Sequence, residues 1–242
     1  MRLRRSASIL ALYLAAPLAF AGGTVKGKVN FDGDPPKQAD LSDAIKKYQS
    51  APGKQDECTG APHMSEDLIV DSGTKGIQNV FVSIDKVQGG KKLEVPATPI
   101  VHNQKTCRMD PHILVIPKGA KLEFKNDDGF MHNTHSNSTK NPVFNEGIPA
   151  GKSITKEFKD TEKVKLTCDV HTWMKGWIVV TDTAYYAISA KDGSFEIGDL
   201  PPGEYTVKFW HETLGMTKAE KIKVEDGKTA TADVKMAPKG AN

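Results

Sequence analysis

Cysteine is scarce in this chain, with three in 242 residues. None stands in the C-x2-C pairs favoured by structural zinc, and none opens the C-x-x-C-H of covalently attached haem. His132 and His135 lack the intervening glutamate of a zinc-peptidase motif. There is no low-complexity tract, no short repeat and no basic stripe of the kind that tracks nucleic acid. Apolar residues make up 38% and charged residues 26%, which is the balance of an ordinary globular protein.

The first residues follow different rules. Arg2, Arg4 and Arg5 precede an apolar run from Ile9 to Phe20, and Ala19-Phe20-Ala21 fits a small-x-small cleavage site. Residues 1–21 therefore read as a signal peptide cut before Gly22, and a periplasmic or secreted location is expected. The competing reading is an uncleaved anchor, but the run is short for a bilayer crossing; no transmembrane segment is expected in the mature chain. Cleavage removes three arginines and no acid, so the formal +3 becomes close to neutral. An odd number of cysteines outside the cytosol suggests one bridge and one thiol with another task. Cys168 has candidate metal ligands beside it, which leaves Cys58 and Cys107 as the candidate disulfide; the alternative is two free buried thiols.

Patterning is almost entirely β. Val25, Gly27, Val29 and Phe31 alternate with polar residues over Gly23–Phe31, the mark of a half-buried strand. Leu41, Ala44, Ile45 and Tyr48 fall at helical spacing, so one short helix is expected over 41–49. Strand patterns return at 77–87, 100–102, 112–116, 121–125, 153–158, 164–168 and 177–181. They continue at 185–189, 194–197, 204–210, 221–224 and 230–236. Turn signals such as Asn126-Asp-Asp-Gly129, Lys191-Asp-Gly193 and Leu200-Pro-Pro-Gly203 punctuate them. Short strands with turns at this frequency indicate β-sandwiches.

Chemistry concentrates in Cys168-Asp-Val-His171-Thr-Trp-Met174 and the upstream pair His132-Asn133. These positions offer one thiolate, two imidazoles and one thioether. Two imidazoles and a thiolate with a weak axial methionine is the blue-copper donor set, whereas methionine is a poor zinc ligand. On this reading Cys168 ends a strand, His171 and Met174 follow in the same short loop, and His132 comes from a separate loop after 121–125. A thiol nucleophile paired with histidine would have no use for the methionine. The bland alternative is a buried cysteine with scattered surface histidines.

Residues 98–183 resemble the cupredoxins, in particular the plastocyanin–amicyanin type. The C-x2-H-x2-M loop and the His132-Asn133 pair after Lys121-Leu-Glu-Phe-Lys-Asn126 carry the resemblance, which covers about a third of the chain. It implies a Greek-key sandwich with His132, Cys168, His171 and Met174 as ligands of one copper ion. It also implies that Asn133 braces the thiolate loop. Met131 departs from the family pattern, where proline is usual, and the segment around 141–147 has no counterpart. Trp173, Met131 and Phe130 are candidates for an apolar collar around an exposed edge of His171. His135 reads as an outer or surface histidine, with a second metal site as the alternative. His63, His102 and His112 read as structural or surface groups.

Tyr186 to Phe195, continuing through Leu200-Pro-Pro-Gly-Glu-Tyr205, resembles the carboxypeptidase regulatory-like (transthyretin-like) sandwich. Such domains open on Gly-x-Val-x-Gly-x-Val, which stands here at Gly23–Val29. The expected layout is a signal peptide at 1–21 and, over 22–97, the first strands of this small Ig-like sandwich with a helix and loop. A cupredoxin-like domain at 98–183 would follow, then the remainder of the first sandwich at 184–242. Two consecutive domains are the alternative. Trp210-His211-Glu212 reads as packing and hydrogen bonding. The functional expectation is an exported electron carrier, not an enzyme, serving a redox partner such as a c-type cytochrome or an oxidoreductase. Copper storage or delivery, or an adhesion module with a vestigial site, are the alternatives.

Overall fold

The computed structural model describes residues 22–55, 57–217 and 221–238. The signal-peptide reading falls on residues 1–21, outside the described residues. In chain order the elements are β1 (Gly23–Phe31), α1 (Ser42–Gln49), β2 (Phe81–Ile84), β3 (Ile100–Lys105), β4 (Arg108–Asp110), β5 (Ile113–Pro117) and β6 (Ala120–Asn126). Then come β7 (His132–Asn137), β8 (Asn145–Ile148), β9 (Ser153–Phe158), β10 (Glu162–Thr167) and β11 (Lys175–Thr181). The last are β12 (Tyr186–Ile188), β13 (Ser194–Leu200), β14 (Gly203–His211), β15 (Gly215–Thr217), β16 (Lys221–Val224), β17 (Thr229–Thr231) and β18 (Val234–Met236). The protein is all-β with one short helix, and no described helix is long and apolar enough to cross a membrane.

Two sandwiches result. In the first, β1 lies between β13 on one side and β17 and β18 on the other, facing a sheet ordered β12-β2-β14-β15 with β16 also on β14. The first and second strands of the chain thus pair with strands more than a hundred residues later. Val25, Val29, Phe31, Val82, Ile84, Phe195, Val207 and Phe209 fill the space between. Gly27 has a steric reason: a Cβ there would come within 2.4 Å of the Ala232 carbonyl oxygen, so only glycine lets that strand approach.

The second sandwich pairs a sheet ordered β5-β11-β10-β7-β8 with one ordered β4-β3-β6-β9. β5 runs parallel to β11 and β3 parallel to β6, so the chain crosses between sheets instead of meandering. Leu122, Phe124, Phe158, Val164, Leu166 and Ile178 form its core. Helix α1 joins this core through Ile45, with Leu41, Cys58 and Ala61 beside it. The helix and loop of the 22–97 segment therefore pack on the second sandwich, although β1 and β2 belong to the first. A small third core of Phe81, Ile113, Val179 and Trp210 lies where the sandwiches meet, and Trp177 and Trp210 cross edge to face with centroids 5.1 Å apart.

Several expectations are corrected. His132 opens strand β7 and is not in a loop, because β7 is held between β10 and β8. The polar run His-Asn-Thr-His-Ser-Asn hid a strand whose buried hydroxyls and amides are hydrogen-bonded: Gln104 donates to Thr134 Oγ1, and Ser136 to the Pro142 carbonyl. β4, β8 and β15 had no expected counterpart. The single strand expected at 230–236 is two, with Ala232 N–H bonded to the Lys26 carbonyl between them.

The loop after β7 is fastened by Glu162. Its carboxylate accepts bonds from Ser138 Oγ, from the backbone N–H and hydroxyl of Thr139, and from Asn141. Burial alone would raise its pKa, but these donors pull it down from 4.5 to about 2. A carboxylate with a depressed folded pKa adds stability above its unfolded value, and that stability is lost as pH falls toward the folded one. Replacing Glu162 with Gln is expected to cost about 1–2 kcal/mol at neutral pH, after allowance for solvent screening. It should also flatten the decline in stability between roughly pH 5 and 2. Urea unfolding of both proteins across that range measures this.

Candidate metal centre

β10 alternates Val164 and Leu166 into the core, and Cys168, one residue beyond the strand, keeps the same phase and is buried. The chain then turns tightly. Cys168 N–H bonds the Met174 carbonyl, and Met174 N–H bonds the His171 carbonyl, before β11 departs. This short ring returns His171 to Cys168, with Nδ1 3.6 Å from Sγ. His132, at the start of neighbouring β7, brings its own Nδ1 to 2.9 Å from that of His171. The donor atoms of His132, Cys168 and His171 all lie within 4.8 Å of one another, and both histidines are fully buried. Met174 is buried in the same core.

Asn133 ties the two segments together. Its Oδ1 accepts the Asp169 N–H at 2.8 Å and lies 3.1 Å from Cys168 Sγ, while its Nδ2 donates to Asn145. Burial would push the Cys168 thiol up, yet bonds from His132, from His171 and from the backbone N–H groups of Asn133 and His171 bring it down to about 6. Burial would likewise lower His132, but Asp128 and Cys168 raise it. The donors suit copper: atoms sharing one ion lie about 3–4 Å apart, the His132–His171 and Cys168–His171 separations are 2.9 and 3.6 Å, and copper favours a thiolate joined by imidazoles.

The expected exposed edge of His171 is absent: the residue is 0% exposed. Its ring is met by Tyr48 of α1 at 4.6 Å, Trp173 at 5.5 Å and Phe130 at 5.8 Å. Cys58 and Cys107 form a disulfide whose sulfurs, with a His171 nitrogen, fall within 4.8 Å of one another. Tyr48 and the Cys58–Cys107 bridge therefore roof the imidazole. Trp173 and Phe130 are roof-side packing, and Met131, 55% exposed, stands apart from them in the solvent. His135 pairs with Asp169 at 3.1 Å on a half-exposed edge. His102 is buried on the Pro111 carbonyl, and His63 meets Ser42. His112 joins Glu212, whose other oxygen accepts the Trp177 indole N–H, so this trio links the two sandwiches.

Sequence reasoning missed Tyr48, Glu57 and Asp128. Asp128 was legible only as part of a turn cluster and Glu57 only as a polar loop residue. The sole signal was that each lies close in sequence to a cysteine or to His132.

Fold and site together define an all-β protein of two sandwiches, one of which buries a sulfur–imidazole donor cluster. Residues 177–237 match the Carboxypeptidase regulatory-like domain family, beginning within β11, ahead of the boundary expected at 184. No curated protein matches the chain. Among solved structures it is similar to a copper-containing nitrite reductase from Thermus scotoductus SA-01, with 23% identity over 38% of this chain and a TM-score of 0.33. The chain spans only 26% of that protein's length. It is also similar to a purple cupredoxin from Nitrosopumilus maritimus, with 28% identity over 31% of this chain and 82% of the other, TM-score 0.28. A reduced form of an amicyanin mutant gives 17% identity over 41% of this chain and 98% of the other, TM-score 0.33.

Proposed function

We propose that the chain is an exported single-copper electron carrier in which His132, Cys168 and His171 would hold the ion and the buried Met174 would supply a weaker thioether donor. The observation that carries this reading is the convergence of two Nδ1 atoms and one low-pKa sulfur at a single buried point. Copper bound there supplies reversible one-electron chemistry. The chain's own contribution is rigidity. Asn133 locks the cysteine strand to the histidine strand, and the short loop from Cys168 to Met174 leaves the donors little freedom to rearrange when the charge on the site changes. The partner would be a redox protein such as a c-type cytochrome or an oxidoreductase, met in the periplasm or outside the cell. The carrier reading rests on the single His132–Cys168–His171 donor group; the separate group of Asp67, His112 and Glu212 brings one histidine to two carboxylates.

Strand pairing supports reading the copper sandwich, 98–183, as an insertion in the regulatory-like one, since β1 and β2 pair with β12, β13 and β14. Burial of the donors disfavours copper delivery, which needs an ion open to an acceptor. Absorption and paramagnetic-resonance spectra of the copper-loaded protein test the proposal. An intense visible band with a narrow copper hyperfine pattern is expected; a weak band with the wide splitting of a nitrogen–oxygen site would refute it.

A further inference from the structure

An imidazole that binds a metal through Nδ1 keeps its proton on Nε2, and what accepts that proton sets the ligand's orientation and basicity. Both Nε2 atoms here face a carboxylate. His132 Nε2 lies 2.8 Å from Asp128 Oδ2. His171 Nε2 lies 3.6 Å from Glu57 Oε2 and, though buried, has no hydrogen-bond partner.

The two carboxylates share one anchor. Asp128 Oδ2 also accepts the backbone N–H of Cys107 at 2.8 Å, and its Oδ1 that of Thr106 at 2.7 Å. Glu57 immediately precedes Cys58, and its oxygens are steered by the Tyr48 hydroxyl and by Lys54 at 2.8 Å. Cys58 and Cys107 are bonded to each other across 49 residues. Each end of the disulfide therefore presents a carboxylate to one of the two imidazoles.

We propose that Asp128 and Glu57 are positioning residues for His132 and His171, held in register by the Cys58–Cys107 bridge, and that together they bias the site toward the more highly charged cupric ion. The proposal rests on the copper reading above. The physical reason is charge. Partly buried beside the ligands, each carboxylate makes its imidazole a stronger donor and favours the 2+ over the 1+ ion at close range, where solvent screening is reduced. A reduction potential held low follows. The 3.6 Å contact of Glu57 is longer than a hydrogen bond, so its effect should be the smaller of the two.

The test is the reduction potential of copper-loaded wild type, Asp128→Asn, Glu57→Gln and the double variant. The surface variant Asp127→Asn, which removes the same charge, serves as control. Asp128→Asn is expected to shift the cuprous-to-cupric preference about tenfold toward cuprous, an upward change of about 59 mV for one electron. Glu57→Gln should move the same way by less, with the visible band retained in both. Should a variant fold poorly, proton NMR of the diamagnetic cuprous wild type decides: slowly exchanging Nε2–H signals from both ligand histidines are expected. Potentials no different from that of Asp127→Asn, or Nε2–H signals lost to fast exchange, would overturn the assignment while leaving the copper centre intact. A wild type without the intense visible band would remove the copper reading itself.

Discussion

Replacing Cys168 with serine should abolish the intense visible absorption of the copper-loaded protein while leaving the sandwich folded. The band arises from a soft sulfur bonded to the ion, and a serine hydroxyl is neither soft nor ionised near neutral pH. The thiolate is the form that binds metal, and the surroundings of Cys168 already favour it, with the thiol brought down to about 6. The serine variant must surrender a proton from a far weaker acid, so affinity should fall together with colour. The experiment has an internal check. Cys168 is the one free thiol, because Cys58 and Cys107 are bridged. Unfolded, unreduced wild type should titrate one thiol per chain and the variant none. Circular dichroism establishes that the variant is folded. Colour retained in a folded, thiol-free Cys168→Ser protein would exclude sulfur ligation and with it the proposed centre.

What the sequence disclosed and what it concealed divide along physical lines. The ligand loop was legible because a cysteine, a histidine and a methionine at fixed spacing form a rare donor set, and short spacing leaves few geometries. The opening strand was legible because Val25, Val29 and Phe31 alternate, and its pairing with β13 agrees with the turn at Lys191-Asp-Gly193. β7 was concealed because its buried side chains are polar. His132, Thr134 and Ser136 are buried and hydrogen-bond to Asp128, Gln104 and the Pro142 carbonyl, so the usual apolar alternation is missing. The roof over His171 was concealed for another reason. Nothing local in Tyr48, Glu57 or Cys58 tells which part of a distant sandwich they will cover. That information lies in a long-range disulfide and in the packing of Ile45, both of which exist only once the second sandwich has formed.

The roof makes a prediction with two separable parts. Converting Cys58 and Cys107 to serine removes a cross-link spanning 49 residues, which the chain-entropy relation values at roughly 4 kcal/mol of folding stability. Chemical unfolding should register a loss of that order. The second part concerns access. In the bridged protein His171 is closed off by Tyr48 and the disulfide, so a bulky hydrophilic oxidant or reductant must exchange electrons across at least one layer of side chains. Without the bridge, the segment from α1 to Gly60 keeps the packing of Ile45, Leu41 and Ala61 and of Tyr48 on His171 and Trp173, while the hydrogen bonds of Glu57 to Tyr48, Gln49 and Lys54 lie within the segment itself. Opening of this segment then costs less, and loops held by few buried contacts open well below the global unfolding free energy. Stopped-flow oxidation of the cuprous protein by hexacyanoferrate should therefore be faster in the double-serine variant, and hydrogen exchange over 42–60 should quicken while that of β10 and β11 stays slow. An unchanged rate together with faster exchange would mean that electrons do not pass the roof at all. The next surface to test would then be the half-exposed edge where His135 meets Asp169, the residue that follows Cys168.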